Sequence, residues 1–131
     1  MKVLVTGGTN GMGKGVVKAL AGIDNQEHEI IILCRSKELG EATIKELETD
    51  TGNHKISIVL CDLVKLSDVR KVIKELHDRH EFLDGIYINA GLGYAARREV
   101  TEDGLDPHFQ VNFLSQFMLT LNLLDLLEKS E

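Results

Sequence analysis

The chain has 131 residues, 43% of them apolar and 27% charged, the composition of an ordinary soluble domain large enough to bury a core. A formal net charge of −6, with Lys and Arg scattered along the chain, leaves nothing to neutralise phosphates and excludes a nucleic-acid partner. The chain opens directly on a strand pattern, with no signal peptide and no apolar run able to span a bilayer. Its expected place is the cytosol or the cytosolic side of a membrane, and an anchor elsewhere in a longer protein is compatible with that.

Strand and helix patterns alternate from the first residues. Lys2–Thr6 reads as a strand through Val3-Leu4-Val5. It runs into the glycine-rich Thr6-Gly7-Gly8-Thr9-Asn10-Gly11-Met12-Gly13, then a helix over about Gly13–Ala21. Asp24-Asn25-Gln26 is a turn. Glu29–Cys34 follows, apolar on both faces through Ile30-Ile31-Ile32-Leu33, as a buried parallel strand must be. Ser36 is placed to cap a helix over Lys37–Asp50, with Leu39, Ala42, Ile44 and Leu47 as its buried stripe and Gly52-Asn53 as its end. Ile56–Leu60 makes a third strand. Ser67 is placed to cap a helix over Asp68–Arg79, whose inner face is Val69, Val72, Ile73 and Leu76. Asp84–Asn89 makes a fourth strand, and a glycine-containing loop runs to about Gly104. One last helix, over residues 108–129, carries apolar side chains on nearly every side and must be buried on several faces.

Repeated βαβ units with right-handed crossovers give an α/β, Rossmann-type doubly wound parallel sheet in the order 3-2-1-4, one domain over residues 1–131. Cys34 and Cys61 fall at the ends of neighbouring strands and read as inert core thiols. His77 and His80 share metal-ligand spacing, but their surroundings are polar throughout and read as a solvated helix end.

Chemistry concentrates in the glycine-rich turn. Glycines let the backbone turn sharply and approach a pyrophosphate with no Cβ in the way. The helix after the turn points unpaired N–H groups and the positive end of its dipole at the anion. Strand, turn and helix in this order therefore predict a dinucleotide site. At the end of the second strand stand Cys34-Arg35-Ser36, where an NAD site usually places an acid. The Arg35 fork and the Ser36 hydroxyl suit a 2′-phosphate instead, so NADP(H) is expected over NAD(H). A solvated arginine at a strand end is the alternative.

Gly7-x-x-x-Gly11-x-Gly13 after Thr6 resembles the short-chain dehydrogenase/reductase family. Asp62-Leu63, Asn89-Ala90-Gly91 and Val111-Asn112 match further motifs of that family in the same order. The resemblance implies that Gly7 and Thr9 belong to the cofactor site and that Asn10, Gly11, Met12 and Gly13 border the pyrophosphate. It implies that Asp62 and Leu63 flank the adenine and that Asn89, Ala90 and Gly91 pass beside the nicotinamide-side ribose. It gives Asn112 a place in the catalytic tetrad, holding the water that links the family's lysine to solvent. As alternatives, Asp62 caps the next turn and Asn89 stabilises a strand end. The family's second basic residue, before the second motif glycine, is Asn10 here.

The family's catalytic serine and Tyr-x-x-x-Lys pair have no counterpart. The two tyrosines are Tyr87 and Tyr94, and Tyr94-Ala95-Ala96-Arg97-Arg98 reads as a surface loop. The chain is thus expected to carry the cofactor half of an oxidoreductase and not to turn over substrate alone. A nucleotide-binding or interaction module without catalytic residues is the alternative. By resemblance, the complete enzyme acts on a small lipophilic carbonyl or alcohol, retinoid-like or steroid-like, with protochlorophyllide as a second possibility. The last helix is the expected contact to a second copy.

Overall fold

The computed structural model describes residues 1–23, 28–93 and 99–130. The expected turn at Asp24-Asn25-Gln26 and the expected loop at Tyr94–Arg98 lie outside the described residues. Four strands, β1 (Lys2–Thr6), β2 (Glu29–Cys34), β3 (Ile56–Leu60) and β4 (Gly85–Tyr87), form one sheet in the order β3-β2-β1-β4. All three pairings are parallel, with Leu4 opposite Ile31 and Ile86, and Ile32 opposite Ile58. The expected doubly wound α/β topology is present.

Because successive side chains on a strand point to opposite faces, one apolar run supplies two cores. Val3, Val5, Ile30, Ile32 and Cys34 pack with Val17, Leu20 and Leu47, from the helices α1 (Gly11–Ala21) and α2 (Lys37–Thr51). Leu4, Ile31, Leu33 and Val59 point the other way, onto Val69, Val72 and Leu76 of α3 (Leu66–Arg79) and onto Val111, Leu119, Leu123 and Leu126.

The strands β1, β2 and β3 have the expected bounds, and the Ser36 hydroxyl caps α2 by accepting from Leu39 N–H at 3.2 Å. Five expectations need correction. Helix α1 starts at Gly11, so the last glycines of the motif lie inside its first turn. The buried stripe of α2 is Gly40, Thr43 and Leu47, whereas Leu39 and Ala42 are exposed. Helix α3 starts at Leu66, and Ser67 is not its cap. The Leu66 N–H is met by Asp103 at 2.9 Å, from a loop 37 residues away. Strand β4 stops at Tyr87 because the main-chain N–H groups of Asn89 and Ala90 turn to the Thr6 hydroxyl, leaving no ladder to extend.

The fifth correction concerns the last helix. It is broken into α4 (Pro107–Phe109), a π-helical turn (Gln110–Leu114), α5 (Ser115–Asn122) and α6 (Leu124–Glu128). A π turn inserts an extra residue and rotates the helix beyond it, a common device beside functional sites. One face is buried through Val111, Leu119, Leu123 and Leu126. The other face leaves Phe109, Phe113, Phe117, Leu121 and Leu124 exposed, so burial on several faces does not occur within the described residues. Their rings form a ladder, with centroids 5.7 Å apart from Phe109 to Phe113 and 5.6 Å from Phe113 to Phe117. Among the described residues, no helix is long and apolar enough to cross a membrane.

The two histidines at the end of α3 are engaged rather than merely solvated. His77 Nε2 lies 2.9 Å from Asp125 and Nδ1 lies 2.8 Å from the Ile73 carbonyl, joining α3 to α6. The His80 side chain is only 9% exposed and lies 3.7 Å from Glu29.

Candidate functional site

The sheet order reverses at β1, since the chain proceeds from β1 to β2 and β3 and then crosses to β4 on the other side. Loops leaving the carboxyl ends of strands diverge at such a point and open a crevice. Here it is a cleft of about 450 Å³ lined by Gly7, Thr9, Asn10, Gly11, Met12, Arg35, Ser36, Asp62, Leu63, Asn89, Ala90 and Gly91. These are twelve of the residues singled out from sequence, brought from the ends of all four strands to one wall. Gly13 and Asn112 are not among the lining residues.

The glycines have three separate jobs. Gly7 has φ +66°, and a Cβ there would stand 2.9 Å from Ala90 Cα, so the turn after β1 presses directly on the chain after β4. Gly11 has φ +52° with open space around its Cβ position, which leaves the backbone bare toward the cleft. A Cβ on Gly13 would lie 2.1 Å from the Gly7 carbonyl and 2.4 Å from Asn89 Nδ2, so Gly13 lets α1 pack onto the turn. Asn10 is the N-cap of α1 but its side chain makes no capping bond, and Asn10, Gly11 and Met12 line the cleft. An uncapped helix start of this kind suits an anion.

A buried hydroxyl holds the floor. Thr6 Oγ1 accepts from the N–H groups of Asn89 and Ala90, both at 3.0 Å, and donates to Gln116 Oε1 at 2.9 Å. Asn89 Nδ2 donates to the Gly7 carbonyl at 3.2 Å, so its side chain stabilises the strand end as one alternative had it.

At the far end of the cleft, Arg35 is exposed and has no hydrogen-bond or ion-pair partner among the described residues. The Ser36 hydroxyl is occupied by its capping bond and lies 3.4 Å from Glu38. Arg35, unpaired among the described residues, is therefore open to an anion at this end, and Ser36 serves α2 first. Asp62 Oδ1 accepts from Val64 N–H at 3.2 Å, and its own N–H donates to Asp68 at 3.1 Å. The Leu63 carbonyl accepts from the buried Ser115 hydroxyl at 2.6 Å. Asn112, in the π turn, makes a two-way pair with the main chain of Leu92.

Apolar wall residues were missed from sequence. Leu33, Leu39, Val64, Leu92 and Val111 also line the cleft, and Met12 is 83% exposed over it. The exposure of Leu39, read as core from its spacing, is explained by this position at the cleft wall. Thr6 and Gln116 were missed as a pair because no local pattern links residues 110 positions apart.

Both thiols are free and buried. Burial, with the nearby carboxylates of Asp68 and Asp62, pushes the Cys61 thiol up to about 12, and burial raises that of Cys34. Cys61 N–H donates to the Cys34 carbonyl at 2.9 Å, so the two strand ends are joined through the backbone. No group of three or more metal-ligating side chains occurs among the described residues.

The family model of the short chain dehydrogenases matches residues 1–131, and the chain belongs to that family. It is 39% identical over 125 residues to the short chain dehydrogenase resG of Aspergillus sclerotiorum, covering 95% of this chain and 34% of that protein. It is 35% identical over 128 residues to retinol dehydrogenase 13 of Homo sapiens, covering 98% of this chain and 38% of that one. Among solved structures, the Pseudomonas aeruginosa RhlG/NADP active-site complex matches with a TM-score of 0.79 and 26% identity, over 98% of this chain and 48% of that chain. The chain thus spans less than two fifths of the length of these relatives and about half of the solved structure.

Proposed function

We propose that this chain forms the cofactor half of an NADP(H)-dependent oxidoreductase that exchanges hydride between a carbonyl and an alcohol. The observation that carries the reading is one cleft, lined from the ends of four strands, that joins an uncapped helix N-terminus at one part to an unpaired Arg35 at another. The pyrophosphate would lie against Asn10, Gly11 and Met12 at the start of α1. Arg35 would hold the 2′-phosphate, with the adenine between it and Asp62-Leu63. Asn89, Ala90 and Gly91 would border the nicotinamide-side ribose, and the apolar surfaces of Met12, Leu39 and Val64 would exclude water. When bound, the cofactor supplies or accepts the hydride. Gly13 acts by allowing α1 to approach, and Asn112 acts through Leu92 on the loop beyond Gly91.

On this reading, residues 1–131 are one unit of a larger fold, and β4 would gain a neighbour in the complete protein. The relatives named as dehydrogenases, a retinol dehydrogenase among them, favour a small lipophilic alcohol or carbonyl as substrate. The aromatic ladder of Phe109, Phe113 and Phe117 would meet a second copy. Turnover by this chain alone is not expected.

The test is a titration of the chain with NADPH and NADH, repeated on Arg35→Ala. A charge-assisted phosphate bond contributes about 1.5–3 kcal/mol, so the variant should lose about tenfold to hundredfold in NADPH affinity and little for NADH. Equal affinity for both, unchanged by the substitution, would sink the 2′-phosphate assignment.

A further inference from the structure

Gln116 is 4% exposed, and its carboxamide has three partners that lie around the floor of the cleft. Oε1 accepts from the Thr6 hydroxyl at 2.9 Å. Nε2 donates to the Ala90 carbonyl at 2.5 Å and to the Val111 carbonyl at 2.9 Å. The Thr6 oxygen in turn accepts from Asn89 and Ala90. Every group is matched: the hydroxyl uses its one proton on Gln116 and its lone pairs on two N–H groups, and the amide uses both of its protons on carbonyls. The donor count also fixes which end of the amide is oxygen. A side chain here must offer one acceptor and two donors at this reach, and burial makes any unmet member costly.

The strand ends tied in this way are those in closest approach, the Gly7 turn and the Asn89–Gly91 stretch. We propose that Gln116 is a positioning residue for the dinucleotide, setting the separation of these two cleft walls without itself touching the cofactor. The proposal rests on the cofactor reading above. It goes beyond it by assigning cofactor affinity to a side chain on α5, outside every glycine-rich or strand-end motif.

The experiment compares NADP⁺ binding by titration calorimetry at pH 7.5 and pH 5.5 for the chain, Gln116→Glu and Gln116→Met. In Gln116→Glu a carboxylate faces two carbonyls, and protonation returns one donor. Relative to the unsubstituted chain, this variant should bind NADP⁺ at least about tenfold more weakly at pH 7.5 and recover most of the loss at pH 5.5. Gln116→Met, of similar size and without a titrating group, should be weakened alike at both values. A folded Gln116→Glu with unchanged affinity, or with a loss that ignores acidification, overturns the proposal. If Gln116→Glu does not fold, equal affinity in Gln116→Met overturns it. If the unsubstituted chain binds neither NADP⁺ nor NADH, the cofactor reading falls, and amide hydrogen exchange at Asn89 and Ala90 decides on Gln116 separately. Faster exchange in Gln116→Met supports the positioning role, and unchanged exchange overturns it.

Discussion

Asn112 and Leu92 are joined as side chain to main chain by two opposed hydrogen bonds: Leu92 N–H donates to Asn112 Oδ1 at 2.7 Å, and Asn112 Nδ2 donates to the Leu92 carbonyl at 3.2 Å. The carboxamide thus replaces a strand neighbour for the segment that leaves Gly91. Asn112→Asp keeps the acceptor but sets an anion against the Leu92 carbonyl. It should lower stability by about 0.5–1.5 kcal/mol, measured by denaturant unfolding, and Asn112→Gln should not restore it because the longer chain misplaces both groups. Unchanged stability in Asn112→Asp would show that the pair is incidental.

Gly13 and Gly15 sit on the same helix with opposite surroundings. A Cβ on Gly13 meets the Gly7 carbonyl at 2.1 Å, whereas nothing lies within 4 Å of one on Gly15. Gly13→Ala should therefore cost about 3 kcal/mol through overpacking against backbone and should weaken dinucleotide binding. Gly15→Ala should stabilise by about 0.5–1 kcal/mol through helix propensity alone. Thermal melts of the two variants should move in opposite directions.

Hydrogen bonds to the Ile73 carbonyl and to the Asp125 carboxylate raise the His77 pKa, while burial and Lys129 act to lower it. Both ring nitrogens face acceptors, an arrangement that only the doubly protonated ring satisfies. Since the folded pKa is raised, this stabilisation is fully present below the unfolded value near 6.5 and is lost as pH rises through the folded one. The difference in melting temperature between the chain and Asp125→Asn should accordingly be larger at pH 6 than at pH 9. A difference independent of pH would exclude a charged pair.

With its thiol raised to about 12, Cys61 has almost no thiolate at pH 8. Iodoacetamide should label neither cysteine in the native chain and both in denaturant, as read by mass spectrometry. Rapid native labelling of Cys61 would contradict its burial.

Much of the fold was legible because its signals are local. The run Ile30–Leu33, apolar on both faces, marks a strand buried between two layers, and the Ser36 hydroxyl three residues before Leu39 N–H marks a helix start. The glycine turn was legible for the same reason, since sharp turning and bare backbone are properties of the residues themselves. Spacing misled where two environments share one pattern. Leu39 follows the periodicity of a core residue yet lines the cleft, because the helix that carries it borders an opening rather than a partner.

Local residue chemistry specified strands β1 to β3, the capped start of α2, the glycine turn and the cation at Arg35. Tertiary structure alone decided which groups complete the site. Thr6 with Gln116, Leu63 with Ser115 and Leu66 with Asp103 are paired across 110, 52 and 37 residues. A hydrogen bond needs only two groups brought within about 3 Å, and nothing in the neighbouring sequence records which distant group will arrive. The break of the last helix into a π turn belongs to the same class. It places Gln110, Asn112, Ser115 and Gln116 where each meets a partner outside its own helix, and periodicity alone shows only one apolar helix.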